Sequence, residues 1–148
     1  MSDRNFLHFT AKSGATLTNE KQYKYIPWTT ISFTTDSRAS TVTSSNTQFT
    51  IPTRGIYLFN LKMAGLDSTG YFILRLETYN ADGSTGPYTI SVRNKTFDAF
   101  EDIGINFSRC LRLDAGMTFK VAVLTDDAVN PVDADIFEID VTRLHRLP

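Results

Sequence analysis

Apolar residues in this chain recur at spacing two, and that alternation constrains its fold more than any other feature. Phe72, Leu74 and Leu76 alternate with Ile73, Arg75 and Glu77. Phe119, Val121 and Val123 share one side of a run, as do Phe137, Ile139 and Val141. In extended backbone, successive side chains point to opposite faces, so each run has one greasy face. Helical spacing is nearly absent. Val, Ile, Thr, Phe and Tyr fill the runs, and turn residues punctuate them.

About ten antiparallel strands follow from this pattern: 5–12, 28–35, 41–43, 48–51, 56–63, 71–79, 88–92, 103–113, 119–123 and 137–141. Asp82-Gly83 is a hairpin signal, and Asp114-Ala115-Gly116 turns the chain again. Pro52 and Gly55 mark a turn between Phe49–Ile51 and the run starting at Ile56, with Gly55 expected to supply a positive φ. The polar stretches 17–25 and 126–135 read as long loops. Between Asn106 and Leu113 the alternation sets Arg109 on the face of Phe107 and Leu111. A bulge near Ser108 or an edge position would resolve that conflict. Many short strands with brief connections predict an all-β fold, a jelly-roll β-sandwich. At 148 residues the chain reads as one domain, with an N-terminal arm over about 1–8 and a C-terminal tail over about 144–148.

Charge and composition exclude several roles. Fifteen basic residues against sixteen acidic ones, with no basic run, argue against a nucleic-acid or membrane-surface partner. No apolar run reaches the ~18 residues of a membrane-spanning helix. The opening residues lack a basic segment followed by an apolar core, so no secretion signal is expected. A single cysteine, Cys110, excludes an intrachain disulfide and suits a reducing compartment. Its apolar strand context reads as a small buried hydrophobe.

Signatures of catalysis are missing. The two histidines, His8 and His145, stand at opposite ends of the chain. No nucleophile elbow, phosphate loop or zinc-protease motif occurs. A cupin-type enzyme would need a histidine and carboxylate cluster that two distant histidines do not supply. No catalytic residue, cofactor or metal site is expected. Asp126, Asp127, Asn130, Asp133 and Asp135 carry oxygen ligands suited to calcium but lack its regular spacing, and a solvated loop is the plainer reading. Asn94-Lys95-Thr96 and Asn106-Phe107-Ser108 fit glycosylation sequons, which count for nothing without secretion.

Several blocks together resemble the globular head of complement and the tumour necrosis factor-like jelly rolls. Phe49, Pro52, Gly55, Tyr57 and Phe59 resemble that superfamily's Phe, Pro, Gly-x-Tyr-x-Phe signature, with Trp28–Phe33 and Asn46 upstream of it. Leu111 to Phe119 is similar to its Leu-x-Leu-x-x-Gly-Asp-x-Val turn, with Met117 in place of Asp. Asp135 to Ile139 resembles its closing strand, and Phe9-Thr10-Ala11 its opening one. The resemblance implies a homotrimer packed around an apolar axis. Carried over, Tyr57, Phe59, Ile103, Ile105 and Phe137 become trimer-contact candidates, against an ordinary core role for each. Tyr23, Tyr25, Trp28 and Tyr88 are candidate ligand-facing aromatics, against simple packing.

The expected function is a non-enzymatic structural or attachment module. A virion surface protein, assembled in the host cytoplasm and docked on capsid or tail proteins, fits a chain without signal or disulfide. Capsid decoration (cement) protein and fibre knob are the two forms considered. The alternative is a carbohydrate- or receptor-binding module of a tail fibre or bacterial surface structure, with a surface glycan as partner.

Overall fold

The computed structural model describes residues 8–13, 16–17, 22–33, 47–66, 70–96, 103–125, 132–133 and 136–148. The expected strand at 41–43, most of the N-terminal arm and the calcium ligands Asp126, Asp127, Asn130 and Asp135 lie outside them. The described strands are β1 (His8–Ser13), β2 (Thr16–Leu17), β3 (Lys24–Tyr25), β4 (Thr30–Phe33), β5 (Gln48–Thr50) and β6 (Gly55–Leu66). They continue with β7 (Gly70–Tyr79), β8 (Thr85–Thr96), β9 (Ile103–Leu113), β10 (Thr118–Thr125), β11 (Val132–Asp133) and β12 (Ile136–Arg146). The described residues contain no helix.

Two antiparallel sheets form the sandwich. One has the order β4-β1-β12-β6-β9, the other β3-β10-β7-β8. Strands β3 and β5 share the free edge of β10 end to end, β3 opposite Ala122–Val123 and β5 opposite Thr118–Lys120. The stretches read as loops contribute three two-residue strands: β3, and β2 with β11, which pair with each other across most of the chain. Strands so short carry no periodicity, and only tertiary pairing reveals them.

The alternation of β6, β7, β10 and β12 becomes the core. Tyr57, Phe59, Leu61 and Met63 of β6 face Phe72, Leu74 and Leu76 of β7 and Phe119, Val121 and Val123 of β10 in one cluster. Phe119 stacks on Phe49 at 5.2 Å and meets Phe59 edge-on at 5.0 Å. Each fully buried large side chain of this kind stabilises the fold by about 1.5–3 kcal/mol. Ile26 and Trp28 lie on the segment between the two sheets and are buried, with Trp28 against Phe49.

Two expectations are corrected here, for Gly55 and Cys110, and one alternative is decided, for Arg109. Gly55 does not take a positive φ; the described glycines that do are Gly83 and Gly116, at the other two expected turns. Gly55 is required by crowding, since a Cβ there would sit 2.5 Å from the His145 carbonyl oxygen. Arg109 is resolved by position, because β9 is an edge strand whose register runs unbroken from Ile105 to Leu113. At the edge the opposing sheet no longer covers it, so it is exposed although it lies opposite buried Phe59. Cys110 is exposed, not buried, because Leu111 and Leu113 take the core parity of β9 and leave Cys110 the outward one.

Candidate functional site

Two outward faces are left for interaction, one per sheet. On the five-stranded sheet, β6 presents Ile56, Leu58 and Asn60 half-buried and Lys62 exposed. Leu58 lies opposite Cys110 on one side and Thr142 on the other. Asn60 Oδ1 accepts a hydrogen bond from Ser108 Oγ across the β6–β9 pair. Leu144 of β12 is 55% exposed, and β12 shifts register at Arg143–His145. One end of this face therefore carries Ile56, Leu58 and Leu144 set among Arg112, Thr142 and His145. The other carries Lys12, Lys62 and Glu138 in one cross-strand row.

The sheet built on β10, β7 and β8 is different. Its outward face holds Arg75, Glu77 and Tyr79 at spacing two on β7, with Lys120 opposite Glu77 and Tyr25 opposite Ala122. Glu77 is only 8% exposed although it points away from the core, because the phenols of Tyr25 and Tyr79 lie across it. Tyr25 Oη donates to Glu77 Oε2 at 2.9 Å, Tyr79 Oη donates to the same oxygen at 2.5 Å, and Arg75 Nη2 donates to Oε1 at 2.5 Å. Lys120 Nζ sits over both phenol rings, 4.8 Å from Tyr25 and 5.0 Å from Tyr79. Arg75 stacks its guanidinium 3.4 Å from the Tyr23 ring centroid.

Burial pushes the Glu77 carboxyl up, but the hydrogen bonds from Tyr79 and Tyr25 and the charge of Arg75 outweigh it, so its pKa is lowered. The Tyr79 hydroxyl is pushed well above the usual phenol range by burial and by its hydrogen bonds to Glu77 and Tyr25. The carboxylate stays charged and the Tyr79 phenol stays protonated.

A bulge completes the site. Glu77 lies opposite Thr89 and Tyr79 opposite Thr85, so three residues of β8 stand against Thr78 alone. Buried Thr78 holds the bulge: its Oγ1 donates to the Tyr88 carbonyl at 2.9 Å and accepts from the Tyr88 amide at 3.1 Å. Beyond the bulge, the Asn80–Ser84 turn closes the hairpin with Gly83 at φ 89°. The result is an open recess of about 220 Å³ walled by Tyr25, Arg75, Glu77, Thr78, Tyr79, Thr85 and Thr89.

The candidate aromatics divide. Tyr23 and Tyr25 join this cluster. Trp28 does not; it is 2% exposed and packs in the core, so a ligand cannot reach it. Tyr88 packs partly against the core, on the same parity of β8 as Ile90 and Val92. The trimer-contact candidates Tyr57, Phe59 and Phe137 are also corrected. Each has no exposed surface in the single chain, so none has area left for a second copy. They serve the alternative considered for them, the chain's own core. Ile103 and Ile105 take register positions opposite Leu66 and Met63, and their side chains lie outside the described set.

Arg75, Glu77 and Tyr79 were not singled out from the sequence as a site. Their signal was a carboxylate flanked at spacing two by a cation and a phenol on one strand face. His8 lies opposite Thr142 and His145 opposite Ile56, so the two are not cross-strand partners. Among the described residues no group of three or more His, Cys, Asp or Glu could hold a metal.

No protein-family model matches this chain, and no curated protein matches it. Solved structures do. The globular domain of zebrafish complement 1qA is 15% identical with a TM-score of 0.67, over 95% of this chain and 98% of that one. The fold is the complement-head and tumour necrosis factor-like jelly roll. The Eiger tumour necrosis factor of S. frugiperda is 15% identical with a TM-score of 0.65, over 97% of this chain and 94% of that one. Murine APRIL is 9% identical with a TM-score of 0.64, over 95% of this chain and all (100%) of that one. The jelly roll thus extends over nearly the whole chain at an identity that fixes architecture alone.

Proposed function

We propose that this protein is a non-enzymatic homotrimeric module that attaches to a larger particle, a virion surface protein such as a capsid decoration protein or a fibre knob. The observation that carries the assembly reading is the outward face of the five-stranded sheet. Its end with half-buried Ile56 and Leu58 beside exposed Cys110 and Leu144, rimmed by Arg112 and His145, is surface that a second copy can cover. The jelly-roll resemblance supplies the number three. The contact belongs on this face and not on the buried Tyr57, Phe59 and Phe137.

The absence of a disulfide supports assembly in a reducing cytoplasm. Three copies on one axis would act together, so weak single contacts with a shell or fibre become firm attachment. Sedimentation at micromolar concentration tests the assembly, with a particle of three times 16.6 kDa expected. A folded particle of one chain's mass would overturn it. Mass spectrometry of purified virions tests the location, and absence from the particle would overturn that part.

The recess on the other sheet favours a second reading, a carbohydrate- or receptor-binding module of a tail fibre or bacterial surface structure.

A further inference from the structure

We infer that the recess beside Glu77 binds one neutral, polyhydroxylated ring, the terminal sugar of a glycan. The inference rests on the binding-module reading and is independent of the trimer. Proton bookkeeping at the recess floor leads to it. Each phenol has one proton to donate. Tyr25 and Tyr79 both donate to Glu77 Oε2, and the 3.2 Å hydrogen bond between their own oxygens draws on the same two protons. Both phenol oxygens are left as acceptors. Glu77 Oε1 takes one hydrogen bond from Arg75 and keeps a lone pair. The floor therefore offers acceptors, and its complement is a ligand with several donors.

Two kinds of ligand meet that need: a cation with N–H groups and a neutral polyol. Charge separates them. Arg75 and Lys120 stand against the one carboxylate of Glu77, leaving the cluster net positive and repelling a cation. An anion would find the Arg75 guanidinium in the wall, but on the floor it would meet the Glu77 carboxylate and the lone pairs of both phenols. A polyol has neither difficulty. Its hydroxyls donate to the floor and exchange hydrogen bonds with the exposed hydroxyls of Thr85 and Thr89 at the rim. The Tyr25 ring, 38% exposed, supplies an aromatic wall for the ring's C–H face. At about 220 Å³ the recess is smaller than the ~300–1,000 Å³ of drug-sized pockets, which limits it to one sugar residue. A small, open site of this kind binds weakly, on the order of millimolar.

Saturation-transfer NMR on the full chain tests this with glucose, galactose, mannose and N-acetylglucosamine as probes, and methylguanidinium and acetate as charged controls. At least one sugar is expected to bind in preference to both ions. Thr89→Arg fills the recess from an exposed strand position and should weaken that sugar by at least ~10-fold. Thr85→Arg repeats the test from the other side of the bulge. No binding by any sugar, tighter binding of methylguanidinium or acetate, or unchanged affinity in both variants would overturn the inference. Sedimentation of the same samples keeps the two readings apart. Lost sugar binding at wild-type mass concerns the recess, whereas a single-chain mass with sugar binding intact counts only against the trimer.

Discussion

Strands β6 and β7 obey one rule on their inward sides and differ on their outward sides. Inward, both bury every described apolar residue: Tyr57, Phe59, Leu61 and Met63 on β6, Phe72, Leu74 and Leu76 on β7. Outward, β6 grades from half-buried Ile56 to exposed Lys62, whereas β7 carries a carboxylate that is nearly as buried as the core. The difference does not come from the strands. It comes from Tyr25, which reaches from the short strand β3 over Lys120 to Glu77. A two-residue strand at a sheet edge thus turns a solvated face into a structured one. On the outward face of the β4-β1-β12-β6-β9 sheet no described tyrosine lies across β6 in this way, and its residues grade toward solvent.

The comparison can be broken first at what the two strands share. Phe59→Ala and Leu74→Ala should each destabilise by about 2–5 kcal/mol, with the Phe variant at the upper end, by urea unfolding. A much smaller loss at either would show that its inward face is not the close-packed core described. Gly55→Ala comes next, at about 1–3 kcal/mol, because its Cβ must displace the His145 carbonyl at the β12 register shift.

The outward faces should then separate. Glu77→Gln leaves the shape but removes the charge that Tyr25, Tyr79 and Arg75 share. A loss of about 1.5–3 kcal/mol is expected near neutral pH, against less than about 1 kcal/mol for Asn60→Ala on β6. The pH dependence has a definite sign. Because the folded-state pKa of Glu77 is lowered, its contribution is whole above the unfolded carboxyl value of ~4.3 and is lost as pH falls through the lower folded value. Because that of Tyr79 is raised, its contribution is whole below ~10 and is lost as pH rises beyond it. Glu77→Gln should flatten the acid limb in denaturation curves recorded from pH 2 to 7; an unchanged acid limb would remove Glu77 as its cause.

The smallest effect on the chain's own stability, within about 0.5 kcal/mol, is expected for Leu144→Asp. The same change should nonetheless lower the sedimenting mass. A variant that keeps full mass would move the assembly contact off this face.

Much of the fold was legible because the core face of a strand must repeat every second residue, and the runs around Leu74, Val121 and Ile139 do so. Gly83 and Gly116 were legible because only glycine adopts a positive φ without strain. The need for Gly55 was not, since it comes from the His145 carbonyl of a distant strand, and the choice between a bulge and an edge position for Arg109 took the sheet order to decide; Cys110 is outward because its neighbours Leu111 and Leu113 take the core parity. Tyr57, Phe59 and Phe137 show the same limit from the other side. An apolar residue at the right parity announces burial but not what buries it, and the sandwich interior consumed all three.

By itself the sequence determined an all-β sandwich, the turns that join its long hairpins and the inward face of each long strand, because these follow from local backbone geometry. Only the tertiary structure decided which outward residues meet. Tyr25 and Glu77 are 52 residues apart, and no periodicity relates them. Chain pairing brings them together, and with them the recess proposed above as a binding site.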